Sequence, residues 1–350
     1  MRAVTVEPGT PDSARVEDVS DPDERHGTVL VEAVATGVCG TDREITSGAY
    51  GWAPPGRDRL VLGHESLGRV VDPGPTGGFE EGDLVVGIVR RPDPVPCPSC
   101  AVGEWDMCRN GQYTERGIKA VDGYMSERWR IEPEYAVRVE PGLGDLGVLL
   151  EPTTVVAKAW EVVGAIGLRA FWEPSTVLVT GAGPIGLLAA LLGVQRGLDV
   201  HVLDRADSGP KPELVRALGA TYHTDGVLDV GFEPDIVIEA TGVRQVVLES
   251  MRALASGGVV CLTGIGGGTD EIQPLPGDPL ANEIVLQNKV IVGSVNANRR
   301  HYYKAARNLA RADRDWLARL VTRRVPAERV ADALMPQPDD IKAIIEFSGT

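Results

Sequence analysis

The sequence predicts an α/β protein of two domains, one built on a doubly wound parallel sheet and the other rich in short β-strands. Three observations carry this. The run from Val177 to Gly193 passes from a short apolar strand into Gly181, Gly183 and Gly186 and then into helix formers. A second strand-like run, Asp199 to Asp204, ends in an acid 18 residues after Gly186. Through the first 150 residues, by contrast, glycines and prolines recur so often that turns and short strands dominate.

The glycine run reads as strand, tight turn, helix. Gly181 permits the turn, Gly183 lets a diphosphate approach the backbone, and Gly186 lets the helix pack against the strand. The new helix offers its free N–H groups and the positive end of its dipole to phosphates. A glycine-rich turn can also do no more than solve a packing problem, so the surroundings decide. Asp204 falls where a carboxylate meets adenosine ribose hydroxyls. The runs Asp235 to Gly242, which includes Thr241, and Gly258 to Ile265 are further apolar strands, each preceded by a helix-like segment. That is the βαβ rhythm of a parallel sheet that binds a dinucleotide, with Thr241 and Asn296 added to the cofactor-binding set. Asp204 should repel a 2′-phosphate and favour NAD, whereas Arg205, with Lys211 further on, could admit NADP; the reading favours NAD. Val177 to Val194 contains no formal charge, but its four glycines and a proline argue against a membrane span.

A chain of 350 residues with 43% hydrophobic content can fill two cores. Its N-terminus, Met-Arg-Ala-Val-Thr-Val-Glu, has no apolar signal region, and five unevenly spaced cysteines do not suggest a disulfide framework. A reducing cytoplasm is the expected location. The net charge of −15, with no cluster of Lys and Arg among aromatics, argues against nucleic acid.

In chain order, Arg2 to Val6 and Thr28 to Thr36 read as strands. Cys39-Gly-Thr41-Asp42 follows, and 25 residues after the cysteine comes Gly63-His64-Glu65. A lone cysteine or histidine is usually a core residue. Together in glycine-framed turns they are two of the ligands zinc prefers, and a catalytic zinc needs three protein ligands with one position open. The third could be Glu65 or Glu151. A proline-rich loop then carries Cys97, Cys100 and Cys108. A closed structural zinc site needs four ligands, so Asp93 would be the fourth, or the lobe is empty, or two thiols form a disulfide. The periodicity turns helical from Val155 to Gly167, and a further helix is expected from Tyr302 to Arg311. Asn296 and His301 suit either a hydroxyl-rich ligand or a capped helix start. Cys261 lies in an apolar strand and reads as core.

Cys39-Gly-Thr-Asp, Gly63-His-Glu65, the cysteine lobe, Glu151-Pro and the glycine motif, in this order, resemble the zinc-dependent medium-chain dehydrogenase/reductase family. Tyr113-Thr-Glu115-Arg-Gly-Ile-Lys, Asp122-Gly-Tyr-Met and Gly293-Ser-Val-Asn296 are similar to its glucose dehydrogenase branch. The resemblance implies a GroES-like catalytic domain from residues 1–155 and 301–350, a Rossmann domain from 156–300, and an active site in the cleft. Cys39 and His64 would ligate catalytic zinc, with Glu65 and Glu151 binding it directly or through water. Thr41 would relay the substrate proton and Asp42 would orient the histidine. Glu115, Glu151 and Asn296 would bind sugar hydroxyls, with His301 nearby. The family lobe has four cysteines, and Pro94 stands at the first position here. The implied reaction passes a hydride from C1 of an aldose such as glucose to NAD(P), giving a lactone. The alternatives are a polyol, cyclitol or amino-sugar alcohol dehydrogenase, or a non-catalytic dinucleotide-binding protein. A homodimer or homotetramer formed through sheet edges is expected, for which the apolar run Val285 to Val292 could serve unless it is core.

Overall fold

The computed structural model describes residues 1–75, 78–266 and 280–347. It divides into two units, Met1–Glu151 with Ala297–Thr350, and Pro152–Asn296.

The first unit is organised around the strand Val29–Val38. Its alternating residues Val29, Val31 and Ala33 are buried, the period of two that a strand with one core-facing side requires. It pairs antiparallel with Glu65–Asp72, with Arg128–Ile131 and with Lys342–Glu346. The seven-stranded sheet is completed by Leu84–Gly87, Ala136–Arg138 and Val321–Pro326. A strand from near the C-terminus therefore lies beside one from near the N-terminus, and both feed one core with Val4, Leu60, Tyr124 and Trp129. Two small three-stranded sheets flank it in sequence, one containing Arg2–Val6 and the other Thr114–Arg116.

The second unit is a six-stranded parallel sheet in the spatial order Thr221–His223, Asp199–Leu203, Thr176–Thr180, Ile236–Glu239, Val259–Leu262, Val290–Gly293. The chain starts at the middle, runs out to one edge, and returns to build the other half. Its central strands are apolar without alternation because both faces are covered: Val177 to Val179, Ile236 to Ile238 and Val259 to Cys261 are all buried. Cys261 is core, as expected.

The glycine motif forms strand, turn and helix. Gly181 has φ +93°, and Gly183 caps the helix Pro184–Val194, whose first residue is proline. A Cβ at Gly186 would stand 1.8 Å from the Gly181 carbonyl oxygen. Helix bounds differ from expectation at two places. The helix expected from Val155 begins at Leu150, because the 3-10 turn Gly144–Leu149 runs straight into it. The helix expected from Tyr302 spans Arg299–Ala310. Its cap is Asn298, whose side chain accepts from the Arg300 N–H at 3.2 Å while His301 Nδ1 accepts from the Asn298 N–H at 3.1 Å. Asn296 lies outside that cap, with φ +60°. No described helix is long and apolar enough to cross a membrane.

Gly186→Ala forces the turn and helix apart and is expected to cost about 1–3 kcal/mol. The urea unfolding midpoint measures it, and an unchanged midpoint would mean that the contact relaxes freely.

Candidate active site

Cys39 stands where the strand Val29–Val38 ends and the helix Gly40–Thr46 begins. Its backbone N–H donates to Asp42 Oδ2 at 2.9 Å. The other oxygen of Asp42, Oδ1, lies 3.5 Å from His64 Nδ1, and the opposite ring nitrogen, Nε2, lies 3.0 Å from Cys39 Sγ. Asp42 therefore ties the cysteine loop and the imidazole together. Asp42 Oδ1 and His64 Nδ1 are both buried without a hydrogen-bond partner, so the carboxylate faces the ring without bonding it. Glu65 opens the neighbouring strand, opposite Gly37, so sheet register brings both loops to the same end. Donor atoms of Cys39, His64 and Glu65 lie within 4.8 Å of one another. Thr41 is in the first turn of the short helix, half-buried.

Burial disfavours negative charge on these acids: it pushes the carboxyl of Asp42 up, and that of Glu151 up to about 7, the latter aided by the nearby Glu65. Burial also opposes charging of His64, yet Cys39 and Asp42 outweigh it and hold the imidazole well above its ordinary value. Glu65 is ion-paired to Lys342, whose ammonium also donates to the Val38 carbonyl at 3.2 Å. Three carboxyls and a thiol around one imidazole and one ammonium create a potential that a divalent cation relieves. Sulfur, nitrogen and oxygen donors are the set zinc takes.

The lobe also assembles. The thiols of Cys97, Cys100 and Cys108 lie within 4.8 Å of one another, and all five cysteines are free, so none is in a disulfide. The backbone N–H groups of Arg109 and Cys100 point at the Cys97 sulfur and hold its thiol down at about 6, while burial pushes Cys100 up to about 11. Asp93 is buried beside them: its backbone N–H contacts the Cys100 thiol, and Oδ1 accepts from the Val95 N–H at 2.8 Å. Its Oδ2 is buried with no hydrogen-bond partner, but the donors that lie within 4.8 Å of one another are the three thiols alone, so the structure does not bring Asp93 into that set as a fourth ligand.

In the second unit, Asp204 accepts from the backbone N–H groups of Ala182 at 2.7 Å and Ala206 at 3.1 Å and pairs with Lys211 at 3.2 Å. Against burial, these contacts hold its carboxyl below the usual range. Arg205 is exposed. Thr241 donates through both its hydroxyl and its N–H to the buried Glu239. Glu115 is buried in an ion pair with Arg90 at 3.0 Å, and His301 is buried in the helix cap. Sequence reasoning missed Arg90 and Lys342. The signal for Lys342 was a lysine inside the apolar strand Ile341 to Ile345.

Residues 25–141 match the alcohol dehydrogenase GroES-like domain, and residues 144–347 match the glucose dehydrogenase C-terminus. The chain belongs to the glucose dehydrogenase branch of the zinc-dependent medium-chain dehydrogenases. Glucose 1-dehydrogenase of Methanocella arvoryzae is 38% identical, with 99% of both chains covered. That of Thermoproteus tenax is 40% identical with the same coverage. Among solved structures, glucose dehydrogenase of Haloferax mediterranei in complex with NADP, Zn and gluconolactone is 36% identical, with a TM-score of 0.91 and 100% of both chains covered. The two units accordingly are the family's GroES-like and Rossmann folds.

Zinc titration in competition with a chromophoric chelator tests the donor set. Cys39→Ala and His64→Ala are each expected to abolish binding at this cluster, and Asp42→Ala to weaken it about 10–100-fold. Parent-like affinity in Asp42→Ala would remove the orienting role of that carboxylate.

Proposed function

We propose that this chain is a zinc-dependent aldose 1-dehydrogenase, oxidising the C1 hydroxyl of glucose or a close relative with NAD(P) to give the 1,5-lactone. The observation that carries the reading is the convergence of Cys39, His64 and Glu65 on one buried point in a chain of this family. When bound, zinc acidifies the C1 hydroxyl as a Lewis acid and the nicotinamide accepts the C1 hydride.

The chain's own residues do the rest. Cys39 and His64 hold the ion, with Glu65 and Glu151 as further oxygen donors. Asp42 orients His64. Thr41, beside the cysteine, takes the hydroxyl proton outward. Glu115, Glu151 and Asn296 bind sugar hydroxyls; for Glu115, the Arg90 pair fixes the carboxylate's direction. Gly181, Gly183 and Gly186 cradle the diphosphate, and Thr241 lies with them in the cofactor set. Asp204, kept ionised, receives the ribose hydroxyls and favours NAD, while Arg205 and Lys211 are the cations at hand for a 2′-phosphate. Cys97, Cys100 and Cys108 would hold a second, structural ion only with Asp93 turned in as the fourth ligand. Five free thiols suit a reducing cytoplasm. The strand Val290–Gly293 is an edge of its sheet, and Val285 and Leu286 beside it in sequence are 73% and 79% exposed, which supports a homodimer or homotetramer through that edge.

Reduction of NAD and NADP is followed against aldoses, polyols and cyclitols, with and without a zinc chelator. Chelator-sensitive turnover of glucose is expected; silence on all aldoses with turnover of a cyclitol or polyol would overturn the substrate class. Cys39→Ala and His64→Ala should abolish turnover and leave cofactor binding intact. Asp204→Ala should shift preference toward NADP, and an unchanged ratio would count against the ribose role. Light scattering on the eluting protein should give a dimer or tetramer mass, which a monomer mass would contradict.

A further inference from the structure

Lys342 lies on the strand Lys342–Glu346 with its side chain 1% exposed. Lysine is almost never buried so completely unless paired. Its partners are Glu65 Oε2 and the Val38 carbonyl, and both belong to segments that deliver the donor cluster. The pair spans three adjacent strands, since Glu65 and Ile344 both stand opposite Gly37 and Ala343 stands opposite Val38. Position 37 has no side chain, and this is what admits the pair: a Cβ there would be 1.9 Å from Glu65 Oε2 and 3.0 Å from Lys342 Cε. The sheet therefore holds a space for an ammonium directly behind one oxygen of a metal-facing carboxylate.

We infer that Lys342 is a positioning residue for the metal, holding Glu65 Oε2 so that Glu65 offers the ion at most its other oxygen and a coordination position stays open for the sugar hydroxyl. The inference rests on the zinc reading above. A catalytic zinc must keep an open position, and a carboxylate that bites through both oxygens fills it. Sharing its charge with an ammonium also makes Glu65 a weaker donor, which leaves the ion more electrophilic. Without Lys342, Glu65 is a buried charge with only the ion to neutralise it, and turns both oxygens there.

The test uses full-length Lys342→Met and Lys342→Arg, loaded with zinc for affinity and kinetics and with cobalt(II) for visible absorption. In Lys342→Met, the cobalt bands are expected to weaken as coordination number rises, zinc to bind at least as tightly as in the parent, and kcat to fall by about tenfold or more. Lys342→Arg should recover the parent spectrum and most of kcat. A parent-like cobalt spectrum in Lys342→Met, or loss of its zinc, would overturn the inference. Failure of the parent itself to bind either metal would instead overturn the zinc reading. Should Lys342→Met not fold, the Glu65→Gln single variant and the Glu65→Gln/Lys342→Met double variant replace it. Identical cobalt spectra in these two are expected, because Lys342 acts only through Glu65, and different spectra would refute that.

Discussion

Burying three carboxyls beside a thiol, one imidazole and one ammonium is the constraint around which the first unit is built. Asp42 is fully buried, yet its two oxygens have opposite duties: one receives the Cys39 N–H and the other faces the His64 ring. A single carboxylate thus couples the end of one strand to the loop before the next. The cost of burying it is met by a backbone donor, by an imidazole, and by whatever cation sits beyond them. Burial pushes the carboxyls of Asp42 and Glu151 up, while Cys39 and Asp42 hold the His64 imidazole above its ordinary value, so these groups are strongly coupled to one another.

The sheet supplies the geometry that this chemistry needs. Val29–Val38 is flanked by the strand that starts at Glu65 and by the strand that starts at Lys342, so the two ends of the unit's sequence meet across one ten-residue strand. The donor cluster therefore sits at strand ends, with Cys39 directly after one strand and His64 directly before another, which restrains these side chains closely. Gly37 is part of the same arrangement, being the gap over which the Glu65–Lys342 pair closes.

The second unit solves a different problem with neutral parts. A turn with φ +93° at Gly181 and a helix capped by Gly183 follow the central strand, and the Asp204 carboxylate accepts from the Ala182 N–H at that turn. The Lys211 ammonium pairs with Asp204, so the same short stretch contains charges of both signs.

The glycine turn, the alternation of parallel strands and helices, the three-cysteine lobe and the pairing of Cys39 with His64 were all legible in the sequence. Each is a local pattern: residue spacing fixes a turn, a helix start or a ligand bite within a few residues. Helix starts at Leu150 and Arg299 were less legible, because a preceding 3-10 turn and the Asn298 cap set them. What no local pattern contained was pairing over long separations. Lys342 meets Glu65 and Val38 only because a C-terminal strand docks on an N-terminal one, and Glu115 meets Arg90 only because two short strands align. The sequence by itself determined the two folds and the residue types of the donor cluster. The tertiary structure alone decided which charges are buried together, since burial and sheet register depend on the whole core and set the electrostatics of the site.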